Sequence, residues 1–260
     1  MSELNELYEI YNGIVQSILR NPRAVDKYGK RVSVDGEMYK VLVGYYGFDK
    51  LPEKIDDKKY DELNIKEIYH GFTDFEHGAQ LLSHFNYNLG IGGYTPGLFF
   101  TDYKDVATWY TNHEQENLDE NSERVLSCKV KQSSNTMKFN ELQDLMVSPI
   151  SDLPPNTKQE HKDKIIALHN FAKVLENEGK SSVGFLKTMK KLSNFAVYLG
   201  IDYVTEEKYN HTIIFNRGAM VIRQRENDKF LDNSVHFKNG FYDFHDSIKQ
   251  NEPIIKHSGN

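Results

Sequence analysis

Three short patches of this 260-residue chain carry side chains able to hold a flat, charged ligand. Tyr69-His-Gly71 sets an imidazole, which can donate or accept a hydrogen bond, beside a glycine whose backbone a ligand can approach closely. Gly97-Leu-Phe-Phe-Thr-Asp102 is followed by Ala107-Thr-Trp-Tyr110, so the rings of Phe99 and Tyr110 lie eleven residues apart. Two such faces can sandwich a planar cation. Tyr209-Asn-His-Thr-Ile-Ile-Phe-Asn216 brings His211 just after the carboxylates Glu206 and Glu207. Taken singly, each patch also has a plain structural reading: a hydrogen-bonded strand-end histidine, two core aromatics, a solvated acidic loop.

Other chemistries are not supported. His77 and His84 share a helix face at seven-residue spacing, about 10 Å apart along the axis and too far to hold one ion together. There is no Cys-x-x-Cys or His-Glu-x-x-His pattern, and no metal is expected. No Gly-x-Ser-x-Gly elbow occurs. Gly90, Gly92, Gly93 and Gly97 suit a loop that adapts to a ligand, but Gly90-Ile-Gly-Gly-Tyr-Thr95 lacks the third glycine of the dinucleotide fingerprint. Glu114 and Glu116 follow the Tyr110 helix, away from the last strands, and are the weaker carboxylate candidates.

In order and spacing the three patches resemble the ADP-ribosyltransferase superfamily, in the branch that includes poly(ADP-ribose) polymerases. The likeness runs over about residues 51 to 222, with 151 to 197 aligning poorly. It implies NAD as substrate and an NAD-binding set of His70, Gly71, Gly97, Phe99 and Tyr110. His70 would bond a ribose hydroxyl, the Gly71 backbone would pair with the nicotinamide amide, and Tyr110 would stack on nicotinamide. Phe99 stands where the family has a strand tyrosine, and His211 where polymerases place a glutamate before the closing strand. That glutamate would stabilise the oxocarbenium ion as nicotinamide leaves. The implied catalytic set is His70, Phe99 and His211, with Glu206 or Glu207 as the carboxylate. The resemblance then implies transfer of single ADP-ribose units to a macromolecular acceptor, protein in preference to nucleic acid, or NAD hydrolysis. The layout is also similar to transferase domains of bacterial phage head proteins, including Leu51-Pro52 and Asn216-Arg217. A particle-associated protein, or one delivered into a host cell, follows from that likeness. A lapsed transferase that binds NAD, ADP-ribose or a protein without turnover is the alternative.

These residues need elements to position them. Leu4, Leu7, Tyr8, Tyr11, Ile14, Val15 and Ile18 predict a helix that stops at Asn21-Pro22. A second helix is expected over 36–46 and a brief one from Asp56 to Leu63. Strands are expected at 65–70, 98–101, 125–130, 137–139, 201–204, 212–215 and 219–222. Between them fall a helix with a Thr73–Glu76 capping box, one capped by Asp102 and one by Asn140. Two further helices are expected over 162–178 and 185–199, the second stopped by Gly200.

The expected fold is α+β: an ADP-ribosyltransferase-like pair of small, mainly antiparallel sheets forming an NAD cleft, with a helical amino-terminal region. The predicted divisions are 1–64 (helical accessory region), 65–224 (catalytic domain, with a helical insertion at about 158–199) and 225–260 (tail). With 16 Tyr and 15 Phe the chain can fill a core. A net charge of −6 without a basic stripe argues against a duplex-binding surface. The lone Cys128 reads as a structural thiol. No secretory leader or membrane-spanning run is visible, so a cytoplasmic protein with no membrane partner is expected.

Overall fold

The computed structural model describes residues 3–20, 34–83, 97–112 and 124–235. The loop glycines 90–93, His84, Glu114 and Glu116 lie outside the described residues, as does the chain from 236 onward. The elements run α1 (Glu3–Arg20), α2 (Val34–Tyr46), β1 (Glu53–Ile55), α3 (Asp57–Glu62), β2 (Ile68–Gly71), α4 (Phe75–Ser83), β3 (Leu98–Thr101) and α5 (Lys104–Asn112). They continue with β4 (Val125–Val130), β5 (Thr136–Lys138), α6 (Phe139–Val147), α7 (Gln159–Asn177), α8 (Ser182–Met189) and α9 (Leu192–Leu199). The last are β6 (Tyr203–Glu206), β7 (His211–Ile214), β8 (Met220–Arg223) and α10 (Gln224–Asn233).

The α+β class holds, but the strands do not form a pair of small sheets. They make one mixed eight-stranded sheet in the order β1-β8-β4-β2-β3-β7-β6-β5. The reason is β4, which serves two partners: Val125 to Cys128 pair with β2, and Lys129 and Val130 pair with β8. Two strand groups that could have packed as separate sheets therefore share a member. Pairing is parallel only at the outer positions, β1 with β8 and β5 with β6, and antiparallel between.

The helices of the amino-terminal region pack on the 158–199 insertion. Tyr8 meets Phe171 edge-on at 4.8 Å and Tyr11 meets Phe185 at 5.8 Å, while Leu7, Ile10, Leu42, Phe171 and Phe195 are fully buried in the same core. The Tyr39 hydroxyl donates to the Phe215 carbonyl at 3.2 Å, tying α2 to the end of β7. Arg217, 1% exposed, donates to the Leu81 carbonyl at 2.6 Å and the Asp49 carbonyl at 3.4 Å. Cys128 is fully buried, and burial pushes its thiol well above the usual range, which leaves it inert.

Local chemistry explains where element boundaries differ from expectation. Asp56 caps α3, accepting from the Lys59 N–H at 2.9 Å. At α4 the cap is Asp74, which accepts from the His77 N–H at 2.8 Å, and Glu76 instead takes the Ser234 hydroxyl at 2.7 Å. Asp102 pairs with Lys66 rather than capping α5. At α6 the Glu141 carboxylate reaches back to the Lys138 N–H at 3.2 Å, and Asn140 lies inside the helix. The 185–199 segment divides into α8 and α9 because Lys191 is extended. Gly200 stops α9 at φ 78°. Among the described residues no helix is long and apolar enough to cross a membrane.

Candidate active site

The ladder between β2 and β3 is a single pair, Tyr69 with Thr101. On the other side of β2 the pairing with β4 is complete, and the Phe72 N–H donates to the Arg124 carbonyl at 3.0 Å. Backbone groups alternate in direction along a strand. With Phe72 facing β4, His70 and Ile68 face it too, and Tyr69 and Gly71 face β3. The N–H and C=O of Gly71 therefore point into a gap, one step past the last β2–β3 pair among the described residues.

α5 closes one side of this gap. A methyl group on Gly71 would lie 2.0 Å from the Ala107 carbonyl oxygen and 2.8 Å from Thr111 Cγ2, so only glycine admits the helix this close. Gly97, at φ 128°, opens β3, and a methyl group there would lie 2.5 Å from Ile213 Cγ2. The same helix carries Tyr110, half exposed, whose ring meets Trp109 edge-on at 5.1 Å.

His70 spans the gap from β2. Its Nδ1–H donates to the Phe99 carbonyl. A carbonyl can only accept, so this bond fixes the tautomer and leaves Nε2 as an acceptor. Nε2 is not among the buried unpartnered atoms, and the residue is partly exposed. The ring sits 4.5 Å from Phe72 and 5.4 Å from Phe100. That desolvation pushes its pKa down to about 4, against the raising effect of the Phe99 carbonyl. His70 is neutral at physiological pH.

A histidine whose folded pKa lies below the unfolded value near 6.5 binds its proton less readily when folded, so stability falls as pH drops from about 6.5 to about 4. The expected loss is about 3 kcal/mol across that window. Urea unfolding at a series of pH values checks it: His70→Gln should show a shallower acid slope than the parent chain, and an identical slope would contradict the desolvated, neutral ring.

Strand alternation separates the side chains of His70 and Phe99. Thr101 stands opposite Tyr69, so Phe99 shares a sheet face with Tyr69 and Thr101 while His70 leaves the other. Phe99 instead meets His211 edge-on, centroids 6.2 Å apart, and His211 lies 6.1 Å from Tyr209. The turn before His211 is fixed by Asn210 at φ 52°, whose carbonyl accepts the Asp102 N–H at 3.2 Å. Of the residues singled out in the sequence, Phe99 and His211 meet through their rings, His70 reaches only the Phe99 carbonyl from the opposite face, Gly71 packs against α5, and Tyr110, on that helix, has its ring contact with Trp109.

A cleft of about 390 Å³ opens at the other end of these strands. Glu206, Glu207 and His211 line it, together with Lys66, Asp102, Thr205 and Thr212, which the sequence did not mark. Glu207 is paired with Lys138 at 2.9 Å. Glu206 stands directly opposite His211 in the β6–β7 ladder.

No family model, no curated protein and no solved structure matches this chain. The site must be read from its own geometry. Among the described residues no group of three possible ligands could hold a metal ion.

Proposed function

We propose that the chain is an NAD-dependent mono-ADP-ribosyltransferase with an ADP-ribosyltransferase-like fold. The observation that carries this reading is the gap between β2 and β3. It offers one backbone donor and one backbone acceptor on Gly71 and an imidazole Nε2 held ready to accept. A primary carboxamide such as that of nicotinamide complements Gly71 with its own acceptor and donor, and a ribose hydroxyl complements Nε2. Tyr110 on the helix over Gly71, and Phe99 on the adjoining strand, supply aromatic faces for a pyridinium ring. The motif resemblance to ADP-ribosyltransferases supports the same assignment.

In the proposed reaction the bond between nicotinamide nitrogen and ribose C1 breaks, and its electron pair leaves with nicotinamide. An acceptor nucleophile then bonds C1 and gives up its proton. His211, with Glu206 or Glu207, would orient ribose and acceptor. The imidazole of His211 would support a positive sugar ring less well than a carboxylate, so single-unit transfer or hydrolysis is the expected outcome.

Incubating the protein with labelled NAD and a lysate, then treating the product separately with protease and nuclease, tests activity and acceptor class. Nicotinamide release is expected, and His70→Ala should lower it by about 100-fold or more, because both the ligand contact and the Phe99 tether are lost. The absence of both nicotinamide release and NAD binding would sink the proposal. A second reading, a transferase fold that binds NAD or ADP-ribose without turnover, is favoured by His211 standing where a carboxylate is needed. Calorimetric NAD binding without nicotinamide release would select it.

A further inference from the structure

Glu206 and His211 are direct partners in the antiparallel β6–β7 ladder, and His211 is also the partner of Thr101 on β3. Partnered residues leave the same face of a sheet, with β-carbons about 4.5–5.5 Å apart. Phe99, two residues before Thr101, leaves that face too, and its ring meets the His211 imidazole edge-on at 6.2 Å. A ring, an imidazole and a carboxylate from three adjacent strands are thus neighbours on one face.

Neither the ring nitrogens of His211 nor the carboxylate of Glu206 has a hydrogen-bond or ion-pair partner among the described residues. The nearby carboxylates are committed: Asp102 pairs with Lys66, and Glu207 with Lys138. Both His211 and Glu206 are partly exposed. An unprotonated imidazole can take a proton from a hydroxyl as that hydroxyl attacks. The imidazolium so formed lies beside a positively charged sugar, and a carboxylate opposite offsets its charge. A carboxylate acceptor is repelled by Glu206, and a guanidinium acceptor competes with the imidazolium for it.

We infer that the acceptor of the proposed transfer is a hydroxyl group, with His211 taking its proton and Glu206 acting through His211 as a positioning residue. This rests on the transferase reading, which sets the pyridinium ring against Phe99 and so brings ribose C1 to the neighbourhood of His211. The acceptor O–H bond breaks and its proton passes to a ring nitrogen of His211. The oxygen bonds ribose C1, and nicotinamide departs with the electron pair of the C1–N bond. Solvent then takes the proton from the imidazolium. Water is the simplest such acceptor and gives NAD hydrolysis.

The test incubates the full-length chain with NAD and an acetyl-capped serine, arginine or glutamate amide in turn, reading nicotinamide release and ADP-ribosylated product by mass. Product is expected on serine or on water, and on neither of the others. His211→Ala should lower its formation about 100-fold, and imidazole added to the buffer should restore it roughly tenfold or more, because a free base then fills the role. Glu206→Gln should lower kcat roughly tenfold with KM for NAD unchanged. It should cost nothing further in a His211→Ala chain, since a residue that acts only through another has no effect once that partner is gone. If the alanine chain does not fold, His211→Gln carries the same cycle. Product on arginine or glutamate, no rescue by imidazole, or additive losses overturns the inference. Nicotinamide release alongside any of these leaves the transferase reading standing, whereas no release from the parent chain with every acceptor removes both.

Discussion

Gly71→Ala is expected to unseat α5 from the sheet and abolish nicotinamide release in the same step. The added methyl would meet the Ala107 carbonyl oxygen at 2.0 Å. That atom belongs to helix backbone, so no side-chain rotation relieves the clash. Either α5 lifts from β2 or β2 shifts against β4, with which it is fully paired. Overpacking of this kind costs about 1–3 kcal/mol, and contact with rigid backbone places this case at the upper end. The Gly71 N–H and C=O move with it, so binding at the gap is lost even in the fraction that folds. Urea denaturation and an NAD-release assay on one preparation check both effects. Gly44→Ala is the control: it lies in α2 with nothing within 4 Å of the added methyl. It should be neutral or stabilising by up to about 1 kcal/mol. Parent-like stability in Gly71→Ala would contradict the close seating of α5.

The second large effect is expected at Arg217. The side chain is 1% exposed and donates to two main-chain carbonyls, at the end of α4 and after α2. Arg217→Met keeps most of the volume but leaves the Leu81 and Asp49 carbonyls without this donor. The expected loss is about 3–5 kcal/mol, from unpaired buried carbonyls together with imperfect refilling of the space. Removing Arg225, which pairs with Asp57 at 3.0 Å on the surface, should cost about 0.5 kcal/mol or less because solvent screens such a pair. Comparing the two midpoints in urea separates a buried guanidinium from an exposed one. Similar midpoints would contradict the internal position of Arg217.

Much of the fold could be read from local signals where they were strong. The helical spacing from Leu4 to Ile18 is α1, and the run 125–130 is β4. Phe99 and Phe100 lie on β3 where the short apolar stretch placed them. What escaped was structure specified by distant partners. β1 is three residues with two exposed charged side chains, and only β8 makes it a strand. α10 has little apolar periodicity; Phe230 docks it on Phe72 at 5.3 Å and on Gly78. The single sheet was hidden for the same reason, because no residue pattern announces that β4 changes partner after Cys128.

The site divides in the same way. His70, Gly71, Phe99 and His211 were marked by residue type, and their linkage runs through ladder pairs and one carbonyl bond. That His70 and Phe99 leave opposite faces is a matter of register, which a shift of one residue would reverse. Thr205 and Thr212 carry no signal in a linear sequence. They line the cleft because the β6–β7 register sets them side by side.

The pairing of β1 with β8 joins an early segment of the chain to one of the last described strands. During synthesis β1 must wait, its edge open, until nearly the whole domain has left the ribosome. Contacts so distant along the chain slow folding, and an unpaired strand edge in the meantime invites association with other nascent copies. The charges of Glu53 and Lys54, both exposed on that strand, guard it through the delay.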